Sequence, residues 1–182
     1  MGNALAWIGQ IVEWVGRFIP RWVIMDTTEG AVKFVCGKNA KGLGPGIHWY
    51  WPATTTLVMY PTARQADNLR TQTLVTTDDK VVVVGGMIVY EVKNVLILLS
   101  TSHSAATTIK DLALTALHDV CCRLSWDELK SEQRRGTLDT KLRRAAQDAL
   151  TSYGVAVLKV MLTDLAPTRV IKLLQSTAQE EN

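Results

Sequence analysis

Cysteine is scarce in this 182-residue chain: there are three, and two of them, Cys121 and Cys122, are adjacent. They cannot build a disulfide framework. That fits a reducing compartment or the cytoplasmic side of a membrane. Phenylalanine is scarcer still, at two residues. Charge of one sign is not in excess. Twenty Lys and Arg face 17 Asp and Glu, a formal charge of +3, which is too small to imply a nucleic-acid partner. Long apolar runs are missing too. A transmembrane helix needs roughly 20 mainly apolar residues, and the most apolar terminus, residues 4–19, is interrupted by Gln10, Glu13 and Arg17. No basic segment precedes that stretch and no small-residue cleavage site closes it, so it does not read as a secretory signal. The expectation is a chain that neither spans a membrane nor is exported, but can lie on one.

Catalytic constellations are also wanting. His118, Cys121 and Cys122 stand at i, i+3 and i+4 and can meet on a helix face. A closed zinc site takes four such ligands, and the remaining histidines and cysteine are distant in sequence. Buried thiols acting as small hydrophobes are the better account. Asp78-Asp79 falls in a turn and Glu180-Glu181 in a tail, where carboxylates stay solvated rather than converging for acid–base work. No serine sits in a G-x-S-x-G elbow. The glycine-rich residues 37–46 match neither G-x-G-x-x-G nor a P-loop. The chain reads as a non-enzyme with no metal and no cofactor.

Tryptophan, by contrast, is plentiful: six in all, with Trp7, Trp14 and Trp22 near the start. Asn3 can cap a helix that Pro20 ends. At about 100° per residue, Leu5, Trp7, Ile8, Ile11, Val12, Trp14, Val15, Phe18 and Ile19 share one half of the wheel, and Gln10, Glu13 and Arg17 crowd a narrow arc opposite. Such a face can pack on a core or lie in a membrane interface. The tryptophans and the terminal position favour the membrane. Half-burying nine large apolar side chains in lipid gains on the order of 5–10 kcal/mol before ordering costs. A nearby Arg adds only about 1 kcal/mol at an anionic surface. Apolar burial therefore dominates the expected anchor.

From residue 22 to residue 92 the chain reads as strands. Residues 22–26 and 31–36 flank Thr27-Thr28-Glu29-Gly30, a hairpin-like turn. Residues 37–46 read as a loop, followed by strands over 47–51, 57–60, 69–75 and 81–92. The last is broken by Gly85-Gly86, which suggests a bulge or a close backbone approach. Asn94 then caps a short helix to Leu99, and a longer one starts near Ser104. Its apolar residues Ile109, Leu112, Ala113, Ala116, Leu117, Val120, Cys121 and Leu124 recur at three and four. Ser125-Trp126-Asp127-Glu128 has the capping-box pattern. Thr137 is placed as the cap of a helix with the stripe Leu138, Leu142, Ala145, Ala146, Ala149, Leu150 and Tyr153, ended by Gly154. Residues 155–165 form a strand, and Pro167 opens a last helix carrying Val170, Ile171 and Leu174. Strands, then helices, then a strand and a helix place the chain in the α+β class.

One charge run stands out. Asp127, Glu128 and Glu132 precede Arg134, Arg135, Lys141, Arg143 and Arg144. A solvated face is the plain explanation. The alternative is an oligomer interface, in which the acidic part of one protomer meets the basic part of its neighbour, a heterologous contact that can close into a ring. No aromatics interleave the basic residues as a nucleic-acid surface requires.

Gly44-Pro45-Gly46-Ile47-His48-Trp49-Tyr50-Trp51-Pro52 resembles the GPG-hydrophobic-His-aromatic-x-x-Pro signature of the band 7, or SPFH, family, which includes stomatins, prohibitins and flotillins. Glu29-Gly30-Ala31-Val32 matches the segment just upstream. Residues 74–79 and Leu162-Thr163-Asp164-Leu165-Ala166-Pro167 resemble two further family segments. The resemblance implies an SPFH domain over 22–175; the residue pattern sets an amphipathic membrane-associating helix over 1–21 before it, where most relatives carry a longer apolar hairpin or a transmembrane helix, and a short polar tail over 176–182 after it. It implies membrane attachment, homo-oligomers that are often rings or cages, and organisation of membrane microdomains; some relatives restrain membrane-bound proteases. The expected partners are therefore a lipid membrane, further copies of the chain, and a membrane protein or protease, on the cytoplasmic face. The alternative is a regulatory binding module for such a protein without large self-assembly. Only residues 171–182 follow the last junction, so a flat ring, a short oligomer or a membrane-bound monomer is expected rather than a tall cage. In the family the strand holding the GPG motif ends near the membrane. Trp49 or Trp51 is accordingly expected to face lipid, the alternative being a core tryptophan.

Overall fold

A computed structural model of the chain describes residues 18–168, together with Gly9 and Gly16. The expected amino-terminal helix, the last helix and the polar tail otherwise lie outside the described residues.

Three antiparallel sheets precede and flank a helical layer. β1 (Arg21–Met25) pairs with β4 (Gly46–Tyr50). β2 (Glu29–Val35) lies between β3 (Asn39–Leu43) and β5 (Thr55–Pro61). β6 (Gln65–Val75), β7 (Val81–Val92) and β8 (Val155–Pro167) form the third sheet, with β7 central. Between β7 and β8 come α1 (Val95–Thr101), α2 (Ala105–Cys122), α3 (Trp126–Arg135) and α4 (Thr137–Leu150), then a single 3-10 turn, Thr151–Tyr153. The α+β reading holds.

The core lies between the third sheet and the helices. β7 alternates with period two, so Val82, Val84, Ile88 and Tyr90 are fully buried. Against them pack Ile109, Leu117 and Cys121 of α2, Leu129 of α3, and Leu138, Leu142 and Leu150 of α4. The Gly85-Gly86 step is both a bulge and a close approach. The β7–β8 register shifts there, and a Cβ on Gly86 would stand 2.9 Å from Leu117 Cδ1 and 3.0 Å from the Met161 carbonyl oxygen. A side chain at this point would push α2 off the sheet.

Local signals behaved as their chemistry dictates. Asn94 Oδ1 accepts from the Ile97 N–H at 3.2 Å. Ser125 and Glu128 close the capping box that starts α3. Asp78, in the β6–β7 turn, adds a long-range fastening. Its Oδ1 accepts from the Trp126 N–H (3.1 Å) and the Thr76 hydroxyl (2.5 Å), and its Oδ2 lies 2.8 Å from Lys80 Nζ. A first-turn N–H of α3 thus finds a partner outside its own helix.

Four expectations are corrected. The turn near residues 27–30 forms, with the Glu29 N–H donating to Asp26 O at 3.2 Å, but β1 and β2 do not make a hairpin: both sides of β2 are taken by β3 and β5, and β1 pairs with β4 instead. Residues 37–46 are not a plain loop, because Asn39–Leu43 forms β3 despite its poor β propensity; pairing with β2 satisfies its backbone and overrides that preference. Gly136, left-handed at φ 72°, stands at the cap assigned to Thr137, whose hydroxyl donates to Glu132 O at 3.3 Å. Pro167 does not open a helix. It is the last residue of β8, opposite Val82, and the next residue, Thr168, supplies the N–H that bonds to Val81 O.

Candidate membrane-contacting surface

The β1–β4 ribbon is built by the GPG motif. Gly46 has φ 129°, in the region that disfavours side chains, and begins β4. His48 Nε2 lies 2.8 Å from Gly44 O. A carbonyl has no proton to give, so Nε2 carries the hydrogen and ties the strand back to the turn. The register then opposes Trp22 to Trp49 and Ile24 to Ile47. Successive strand residues point to opposite faces, so these four side chains share one face, while Val23, Met25 and His48 take the other. Met25 is buried, whereas Trp22, Ile24, Ile47 and Trp49 are 70%, 74%, 64% and 62% exposed. Trp51, just beyond β4, and Phe18 and Ile19, just before β1, are exposed as well. The indoles of Trp22 and Trp49 line a shallow cleft with Pro20 and Arg21.

Both of the tryptophans expected near lipid are therefore on the surface, and the core alternative does not apply to them. Phe18 and Ile19 are exposed next to this face, while Leu5, Trp7, Ile8, Ile11, Val12, Trp14 and Val15 lie outside the described residues. Trp22, Ile24 and Ile47 were not singled out from sequence. Their alternation is visible in Trp22-Val23-Ile24 and Ile47-His48-Trp49, but apolar residues occupy both faces of β1, so the pattern alone does not say which face is open.

The charge run is partly consumed within the protomer. Asp127 lies 2.7 Å from Lys130, one turn on, which holds its carboxyl below the usual range. Glu128 serves the capping box, and hydrogen bonds from Ser125, its backbone N–H first, lower its pKa in the same way. Glu132 pairs with Lys141, joining α3 to α4. Arg134, Arg135, Arg143 and Arg144 are exposed, with no ion pair among the described residues.

The cysteines separate. Cys121 is fully buried, and burial pushes its thiol up to about 12. Cys122 turns toward His118, Sγ to Nε2 3.5 Å, and Cys36 is exposed on a turn. Asp78 is occupied as described above. Among the described residues, no three His, Cys, Asp or Glu side chains converge on a metal position.

The sequence profile described as SPFH domain / Band 7 family matches residues 23–182, the whole chain beyond its amino-terminal segment. The chain belongs to the SPFH/band 7 family. Members of this family are generally membrane-associated scaffolds rather than enzymes. An uncharacterized protein of Archaeoglobus fulgidus is 24% identical over 178 residues, a span that covers 96% of this chain and 71% of that protein. Within this SPFH protein, no helix of the described residues is long and apolar enough to cross a membrane.

Proposed function

We propose that this SPFH protein is a non-enzymatic scaffold that attaches monotopically to the cytoplasmic face of a membrane, self-assembles there and organises a microdomain. The observation that carries this reading is the open face formed by Trp22, Ile24, Ile47 and Trp49. Four large apolar side chains, aligned by strand pairing and adjoining the segment expected to anchor the chain, suit the boundary between headgroups and acyl chains. Half-burying them gains on the order of 3–6 kcal/mol before ordering costs. The amphipathic segment over 1–21 supplies the larger share and the ribbon a second contact. Self-association then multiplies these modest anchors by raising effective concentration. The exposed Arg134, Arg135, Arg143 and Arg144 are the proposed contact with a neighbouring protomer, facing its acidic side chains.

Flotation with phosphatidylcholine–phosphatidylglycerol vesicles tests the attachment. The full chain should float, and high salt should extract little of it, because apolar burial outweighs charge. Removal of residues 1–19 should release most of the protein while the domain stays folded. Complete extraction by salt, or undiminished flotation of the truncated chain, rejects the anchoring scheme.

A further inference from the structure

β7 reads Val-Val-Val-Val-Gly-Gly-Met-Ile-Val-Tyr-Glu-Val. A strand with one face in water alternates apolar and polar residues, whereas a near-continuous apolar run belongs to a strand covered on both faces. The inward residues of β7 are buried beneath the helices. Its outward side chains Val81, Val83, Met87 and Val89 are apolar as well, yet only half-buried. Cross-strand partners share a face, so Val75 opposite Val81, Ala166 opposite Val83 and Met161 opposite Met87 widen this patch. Val75 is 50% exposed. The helices of the core all lie on the other face of the sheet.

The chain leaves the sheet beside this patch. Thr168 donates its N–H to Val81 O at 2.9 Å, and residues 169–182, outside the described residues, follow directly. Their sequence matches what the face lacks. On a helical wheel Val170, Ile171, Leu173 and Leu174 share one arc of about 160°, and Lys172, Ser176 and Gln179 stand opposite. The dimensions also agree. Residues 169–182 make a helix about 21 Å long and about 10 Å across. From Val81 to Met87 the strand runs about 20 Å, and the outer strands of a three-stranded sheet lie about 10 Å apart. Beyond Met87, Lys159 stands opposite Val89, exposed and without an ion pair among the described residues. A helix laid back from Thr168 brings Glu180 and Glu181 toward that lysine.

We propose that residues 169–182 fold back as an amphipathic helix over the outer face of β6, β7 and β8 in the same protomer, so that the sheet is covered on both sides. The face carries no aromatic side chain, unlike the tryptophan-lined ribbon assigned to lipid. Tethering at Thr168 holds the segment at an effective concentration of about millimolar, which a separate chain in dilute solution does not match. The contact is internal to one protomer and does not depend on the scaffold reading.

Chemical cross-linking of the full chain in mild detergent tests it, in a Cys36→Ser, Cys122→Ser background. Val83→Cys with Leu174→Cys should couple through a short bismaleimide at least tenfold faster than Val83→Cys with Lys172→Cys, because position 172 points away from the face. Thr73→Cys, exposed and opposite Val83, repeats the comparison without altering β7. Equal rates from 172 and 174 mean that the tail only passes over the sheet and overturn the docking. So does the absence of coupling at both face positions. In an equal mixture of light and isotope-labelled protein, cross-links should join peptides of one label; mixed-label cross-links in statistical proportion overturn the proposal in favour of a second copy. Single Val83→Cys protein supplies a further reading. Adding Ile171→Asp and Leu174→Asp should raise its reactivity toward maleimide about tenfold, and unchanged reactivity overturns the cover.

Discussion

Trp22 and Trp49 face each other across β1 and β4, with ring centroids 5.6 Å apart and planes at 44°. Aromatic pairs of this kind are worth about 0.5–1.5 kcal/mol beyond their burial, yet both rings stay more than half exposed, at 70% and 62%. This exposed indole pair, on a ribbon that contributes little to the core, is the surface on which the proposed lipid contact rests. Replacing both by serine should weaken vesicle binding by about ten- to a hundredfold, since half-burying each ring is worth about 1 kcal/mol or more. The thermal midpoint should move little. Vesicle titration and a melting curve on the same samples check both halves.

The arginines of α3 and α4 make a second test. Arg143→Glu with Arg144→Glu should reduce particle size on detergent-extracted protein while leaving the monomer fold intact, because exposed charges add little to stability. The four arginines have no ion pair among the described residues, so no described carboxylate competes for them. Light scattering reads the outcome; an unchanged particle makes the run a solvated face.

Asp78 should give the fold a specific acid sensitivity. Its pKa is depressed, by Lys80 first and then by the Thr76 hydroxyl, with the Trp126 N–H adding to it. A depressed carboxylate stabilises fully above its unfolded value of about 3.9 and loses that contribution as pH falls below it toward the lower folded value. Asp78→Asn keeps an oxygen acceptor but removes the charge. The variant should therefore melt lower at neutral pH and show a shallower decline in the acid range. Parallel slopes for the two proteins would assign the acid sensitivity to other carboxylates.

Thiol reactivity should divide the cysteines. The Cys121 thiol, raised to about 12 by burial, has almost no thiolate at neutral pH and no access to reagent. Cys36 is exposed and should label first. Mass spectrometry after brief alkylation of the native protein should find Cys36 modified and Cys121 untouched until denaturant is added.

Much of this architecture is legible in the sequence because its determinants are local. The Asn94 cap, the Ser125–Glu128 box and the Leu138–Leu142–Ala146–Leu150 stripe each depend on residues three or four positions apart, and the structure has them as read. The GPG motif is local as well, and it carried the family. Strand partnership is not local. Nothing in Trp22-Val23-Ile24 says that it will meet Ile47-His48-Trp49 rather than the nearer β2. Nothing in Asn-Ala-Lys-Gly-Leu says that β2 will recruit it as a strand. Those choices were made by competition among all the edges for backbone hydrogen bonds, which only the assembled fold resolves. The same competition left the apolar face of the ribbon open.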